Sequence, residues 1–223
     1  MLNAHRNATR LLAVTLGLIT SLSLVLSADA KPLKYTIGDP RGRDSVSFTS
    51  DAPVELINGH TNKISGDVEV DDSFKADKQH PFKVKIDVDL ASIDTGISLR
   101  NQHMRENFLE TGQYPKATFE ATSLKFSNKP NLTKPDTVTI TATGNFTVHG
   151  VTVRKTIPLQ VSYYPASSEL AKKRTASGNL IRIRGKFPVT LAQHKINRPE
   201  AVFVKLAETV FVTIDTMGTD GAF

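Results

Sequence analysis

The sequence predicts an all-β domain, an antiparallel barrel or a sandwich of eight or nine strands, with one amphipathic helix set among them. Three observations carry this. From Pro81 onward, apolar and polar residues alternate with period two. Short turn signals separate the alternating segments. One stretch alone, Ile93 to Leu109, changes to helical spacing. A continuous up-and-down strand order favours the barrel, because closure removes exposed sheet edges.

The first thirty residues stand apart from the fold. His5, Arg6 and Arg10 precede an unbroken run of apolar and small residues from Leu11 to Leu26, and Ala28-Asp29-Ala30 follows. Basic start, apolar run and small residues at the cleavage positions form a secretory signal. Residues 1–30 are therefore expected to be a signal peptide and 31–223 the mature domain. The alternative, an uncleaved anchor, is weaker, because the run is shorter than the roughly 20 apolar residues that span a bilayer. The expected location is the periplasm or the medium, with a soluble mature chain. A chain of this length suits one domain, since barrels run to about 200 residues without splitting.

The early strands read as Ser45–Thr49, Val54–Asn58 and Lys63–Val70, with Pro40-Arg41-Gly42 as a loose turn. Phe82 to Leu90 is unambiguous: every even position is apolar and every odd one charged. In the helical stretch, Ile97, Met104 and Phe108 share a face at spacings of seven and four, and Asp94-Thr95-Gly96 stands ahead as a cap. Its apolar face points toward the barrel, where a helix lids one end. Ala117–Phe126 is the next strand. Val138–Val148 follows, with Thr137, Thr139, Thr141 and Thr143 as a hydroxyl stripe facing water. His149-Gly150 between Val148 and Val151 is a two-residue hairpin turn. Ile157, Leu159, Val161 and Tyr163 are the inward set of the next strand, and Ile181, Ile183, Phe187 and Val189 of the one after. The last sets Val210, Val212 and Ile214 inward, with Phe211 breaking its outer face. Asn128–Pro135 and Pro165–Gly178 read as long loops.

Composition narrows the chemistry. The chain has no cysteine, which removes disulfides, thiol nucleophiles, thiolate metal sites and covalent haem. Taking Arg6, Arg10 and Asp29 away from a net charge of +6 leaves the mature part at +5, spread along the chain. Nucleic acid as a partner would need a clustered basic face with interleaved aromatics. Lys172-Lys173-Arg174 and the alternating Arg182, Arg184 and Lys186 read instead as a loop and a solvated strand face. Their sharper reading is transient contact with an anionic membrane surface.

The stretch Ser92-Ile93-Asp94-Thr95-Gly96, then Arg100-Asn101-Gln102-His103-Met104-Arg105, Phe108-Leu109-Glu110-Thr111 and Tyr114-Pro115-Lys116-Ala117-Thr118-Phe119 resembles the YceI-like family. So does Gly144-Asn145-Phe146-Thr147-Val148-His149-Gly150-Val151-Thr152. Tyr35-Thr36-Ile37 and Ile196-Asn197-Arg198-Pro199 fit one branch of it. The resemblance runs over nearly all of 33–216. It implies a lipocalin-like antiparallel eight-stranded barrel with the helix covering an end, usually periplasmic, whose lumen binds polyisoprenoid or similar long-chain lipid. It implies no defined catalytic set. Many members carry a histidine soon after the first strand, where this chain has Ala52-Pro53-Val54-Glu55.

Residue chemistry agrees in direction. There is no nucleophile elbow, phosphate loop or dinucleotide fingerprint, and no two histidines stand at a metal-ligand spacing. His60 and His149 read as turn residues, and His80 and His194 as loop or strand-edge residues. No catalytic residue, cofactor or metal is assigned. The lumen is expected to be lined by Val84, Ile86, Val88, Met104, Phe108, Phe119, Ile140, Ala142 and Phe146. Small inward residues at Ala121, Ala142 and Gly144 would leave it room. Arg100 and His103, at i and i+3, form one helix face at the mouth, either paired with carboxylates or holding a ligand head group. Two further readings stay open. One is an enzyme acting on an isoprenoid-like lipid, marked by a perturbed carboxylate or histidine deep in the lumen. The other is a structural or adhesive surface protein, marked by a filled lumen together with an exposed apolar patch. A homodimer is compatible with either.

Overall fold

The computed structural model describes residues 31–173 and 176–223. The expected signal peptide and Arg174 lie outside the described residues. Ten β segments follow one another: β1 (Pro32–Ile37), β2 (Ser45–Asp51), β3 (Leu56–Thr61), β4 (Ile64–Asp71), β5 (Lys83–Asp89), β6 (Lys116–Phe126), β7 (Asp136–Val148), β8 (Val151–Tyr164), β9 (Leu180–Thr190) and β10 (Thr209–Thr219). They close into a barrel of eight staves, because two pairs of segments are each one broken strand. β1 and β2 lie end to end along one edge of β10, with Ile37 opposite Gly218 and Ser45 opposite Asp215. β3 and β4 lie end to end along those two, with Thr61 opposite Val46 and Gly66 opposite Ile37. Each neighbour pair is antiparallel, as the up-and-down order predicts.

The break between β1 and β2 is held by buried acids. Asp44 accepts the Met217 backbone N–H at 2.9 Å and that of Asp39 at 2.6 Å, while Asp39 pairs with Arg43. Buried carboxylates persist when partners of this kind satisfy their oxygens.

The upper end of the barrel carries the β2–β3, β5–β6, β7–β8 and β9–β10 connections, and the lower end carries β4–β5, β6–β7 and β8–β9. At the upper end the β7–β8 hairpin turns through His149 and Gly150, both with positive φ (53° and 69°), as the tightest hairpin turn requires. Two buried clusters meet inside: Leu90, Phe146, Phe187 and Leu191 above, and Tyr35, Ile37, Tyr163 and Ile181 below.

Several expectations need correction. The continuous helix from Ile93 to Leu109 is shorter and of two kinds: α1 (Ser98–His103) runs into a π-helical turn, Met104–Phe108, closed by Leu109 N–H to Met104 O at 2.8 Å. Asp94-Thr95-Gly96 does not cap it in the ordinary way, since Ile97 occupies the cap position without a side-chain bond. Instead Asn101, buried inside α1, accepts from the Thr95 N–H and hydroxyl and donates to Asp94. Pro165–Gly178 holds a five-residue helix, α2 (Glu169–Lys173). His60 sits within β3, not in a turn, and bridges to Asp94. Phe211 on the outer face is covered by the Lys186 ammonium, 5.1 Å from its ring centre.

Candidate functional site

The inward faces of the staves enclose a cavity of about 590 Å³. Small-molecule sites fall in this size range. All nine apolar residues expected in the lumen line it: Val84, Ile86 and Val88 from β5, Phe119 from β6, Ile140, Ala142 and Phe146 from β7, and Met104 and Phe108 from the π-helical turn. Each strand residue is there because period-two alternation turns it inward, and the π-helical turn because its segment crosses the upper end. Ala121 and Gly144 do not provide the space assigned to them. A bulge interrupts β6 between Ala121 and Ser123, and neither residue lines the cavity. A Cβ at Gly144 would stand 2.8 Å from the Phe119 ring, so the ring covers the glycine.

Other lining residues were hidden in the sequence. Leu206 and Val202 come from segments whose pattern gives no inward face, Phe48 from a short alternating strand with Val46, and Leu124 falls after the bulge. Tyr163 lines the cavity as its place in the inward set of β8 predicts, whereas the sequence does not assign Tyr35 to the lumen.

The polar lining separates by height. Arg100 and His103 line the upper part together with Glu55 and Lys205. Arg100 is spent on a clasp: it donates to Glu55 at 2.6 Å, to the Thr95 hydroxyl at 2.8 Å and to the Thr95 carbonyl at 2.7 Å. That arrangement ties the helix to the β2–β3 connection. His103 is exposed beside it. Lower down, Tyr35, Tyr163 and Thr216 line the cavity. Burial raises both phenols above their ordinary range, with the Asp220 carboxylate adding to the effect.

The cavity reaches the surface at the upper rim, where Ile97 and Leu99 line it while standing 51% and 61% exposed. Val54, Phe203 and Val204 on the adjoining connections and Leu56 at the start of β3 are exposed, and Val54 N–H donates to Val204 O at 3.0 Å.

His194 stands just past the end of β9, as its reading as a loop or edge residue expects, but it is fully buried there. Its ring packs against Phe146, with centroids 5.4 Å apart, but does not line the cavity. Among the described residues no group of three or more potential metal ligands gathers.

The model of the YceI-like domain matches residues 39–217. The chain belongs to the YceI-like family. A UPF0312 protein of Vibrio parahaemolyticus is 32% identical to this YceI-like chain over 155 residues, 69% of this chain and 74% of the other. A UPF0312 protein of Vibrio campbellii is 31% identical over 155 residues, with the same coverage of 69% and 74%. Among solved structures, a polyisoprenoid binding domain from Saccharophagus degradans, implicated in plant cell wall breakdown, matches with a TM-score of 0.60 at 18% identity, covering 83% of this chain and 97% of that one. BcnA of Burkholderia cenocepacia matches with a TM-score of 0.59 at 19% identity, covering 79% and 96%. At these identities the likeness is one of fold. In this YceI-like barrel, Glu55 on the β2–β3 connection supplies the partner of Arg100.

Proposed function

We propose that this YceI-like barrel binds one long-chain apolar lipid, polyisoprenoid, quinone-like or fatty-acyl, and carries or sequesters it in the periplasm after residues 1–30 are removed. The observation that carries the reading is the apolar cavity of about 590 Å³ opening onto an apolar rim. Val84, Ile86, Val88, Phe119, Ile140, Ala142 and Phe146 would hold the chain, with Met104 and Phe108 above it. Each buried methylene contributes about 0.8 kcal/mol, so ten contribute roughly 8 kcal/mol before ordering costs. Tight binding then needs no charged anchor. The solved polyisoprenoid binding domain of the same fold supports the ligand class.

The rim of Val54, Leu56, Ile97, Leu99, Phe203 and Val204 is the place for transient contact with a bilayer, since apolar side chains there adjoin the cavity. A second copy covering the same rim is the alternative use, and the apparent mass in solution across concentration separates the two. Of the two marks of a structural or adhesive protein, the exposed apolar patch is present at the rim, but the lumen is open rather than filled. His194, whose pKa burial lowers, stands outside the lining and so is not the perturbed histidine deep in the lumen that would mark an enzyme.

The deciding experiment is native mass spectrometry with lipid extraction on protein purified from its host compartment. A bound lipid and an N-terminus at Lys31 are expected. Protein that carries no lipid and takes none up from vesicles would overturn the reading.

A further inference from the structure

The lower lumen contains hydroxyls that the apolar-chain reading leaves unused. Thr216 lines the cavity at 2% exposure, and its Oγ1 has no hydrogen-bond partner. An orphaned hydroxyl in an apolar enclosure is costly unless something enters to bond it. Tyr35 and Tyr163 line the same space at 4% and 7% exposure. Strand register gives their order. Tyr163, Ile181, Gly218 and Ile37 stand opposite one another on successive staves and form one rung. Thr216 is one inward position above that rung on β10, and Tyr35 one below it on β1.

The electrostatics of this pole select a kind of partner. Burial keeps both phenols protonated, so they are donors, as is the threonine hydroxyl. The charge acting on the phenols is negative, from Asp220. The basic residues that line the cavity, Arg100, His103 and Lys205, all belong to upper-end segments. Among the described lining residues, a phosphate or carboxylate in the lower lumen would meet no cation, and Asp220 would repel it. A carbonyl oxygen would meet neutral donors.

We propose that the lower lumen seats the polar end of the ligand as an uncharged hydrogen-bond acceptor, the carbonyl of a quinone, ester or amide, on the hydroxyls of Tyr35, Tyr163 and Thr216. The apolar chain then runs upward toward Met104 and Phe108. This inference rests on the lipid-binding reading above and makes it narrower.

The test compares four probes on the full mature protein: a decyl-substituted benzoquinone, a long-chain methyl ester, farnesyl diphosphate and squalene. The wild type should bind the quinone or the ester more tightly than the diphosphate, and whichever binds better identifies the carbonyl source. Combining Tyr35→Phe, Tyr163→Phe and Thr216→Val should weaken carbonyl binding by about tenfold or more, at roughly three- to tenfold for each lost hydrogen bond. Squalene, which has no acceptor, should bind the variant unchanged, and it reports that the barrel is folded. Should the triple variant fail to fold, Thr216→Val alone serves. It should weaken carbonyl binding about threefold while the ligand-free melting temperature holds or rises, because an orphaned hydroxyl has gone. Tighter binding of the diphosphate by the wild type, or unchanged carbonyl affinity in the folded variants, overturns the proposal. Failure of all four probes to bind the wild type would instead remove the lipid-binding reading itself.

Discussion

The buried polar side chains at the upper end act as ties between connections. His149 Nδ1 donates to the His194 carbonyl at 3.0 Å, and His194 Nδ1 donates to the Val151 carbonyl at 3.0 Å. Two loops far apart in sequence are locked together by two bonds. Burial, with Lys155 and His149 adding to it, lowers the pKa of His194 from its ordinary value near 6.5. The unfolded chain therefore takes up a proton first as the pH falls. The stability this imidazole contributes is present above about pH 6.5 and is lost as the pH drops through the folded-state value. Urea midpoints of the wild type should fall between about pH 7.5 and pH 5, and His194→Asn should flatten that difference. An equal pH slope in both proteins would assign the acid sensitivity elsewhere. Arg100 is a tie of the same sort. Its three donors hold α1 to Glu55 and Thr95, and hydrogen bonds to charged groups are worth about 1.5–3 kcal/mol each when desolvated. With Arg100 24% exposed and Glu55 36%, solvent discounts that figure, and Arg100→Ala should cost about 1–2 kcal/mol in thermal or chemical denaturation.

At the scale of elements, the segment from α1 through the π-helical turn crosses the upper end of the barrel outside the strand ladder. It is pinned by side chains rather than by a ladder, apart from the His60–Asp94 bridge to β3. π-helical turns recur at functional sites, and here one presents Met104 and Phe108 to the cavity. A flexible thioether beside a ring adapts to an irregular chain. Phe108→Ala should speed release of a fluorescent lipid by about tenfold or more while changing uptake little, since affinity changes appear mainly in the off-rate. Phe108 is only partly buried, so the stability loss should be about 1–3 kcal/mol, below the figure for a fully buried ring. Stopped-flow release and chemical denaturation on the same sample decide it. A stability loss with an unchanged release rate would make the segment ordinary core.

The whole barrel is stabilised by its closed ladder and two apolar clusters, without disulfides, while keeping an apolar space open. That space and its rim form one continuous route. Ile86→Asp puts a carboxylate into the cavity wall, where charge is costly to desolvate. It should abolish lipid uptake and lower the melting temperature, and unchanged values of both would mean that the β5 face is not the ligand wall. Ile97→Ser combined with Leu99→Ser should leave stability unchanged, because both side chains are already exposed. The double variant should slow lipid pick-up from vesicles several-fold, measured by transfer of a fluorescent lipid, without changing affinity once lipid is loaded. Equal transfer rates would place bilayer contact elsewhere.

The sequence by itself determined which faces of the strands turn inward, because a period of two leaves no freedom once one face is apolar. Phe82 to Leu90, Val138 to Val148 and the His149-Gly150 turn were legible for that reason, and with them the wall of the site. The resemblance carried by the Arg100–Phe119 stretch pointed to the same barrel. What the tertiary structure alone decided depends on contacts between distant segments. The break between β1 and β2 needs Asp44 to reach Met217. The role of Arg100 depends on Glu55, which lies 45 residues away in the chain. The burial of His194 and the orphaned hydroxyl of Thr216 depend on which staves close over them. Alternation tells a residue's side of the sheet, but its height in the lumen is set by register around a closed ring, and that sum over eight staves is written in no single window of sequence.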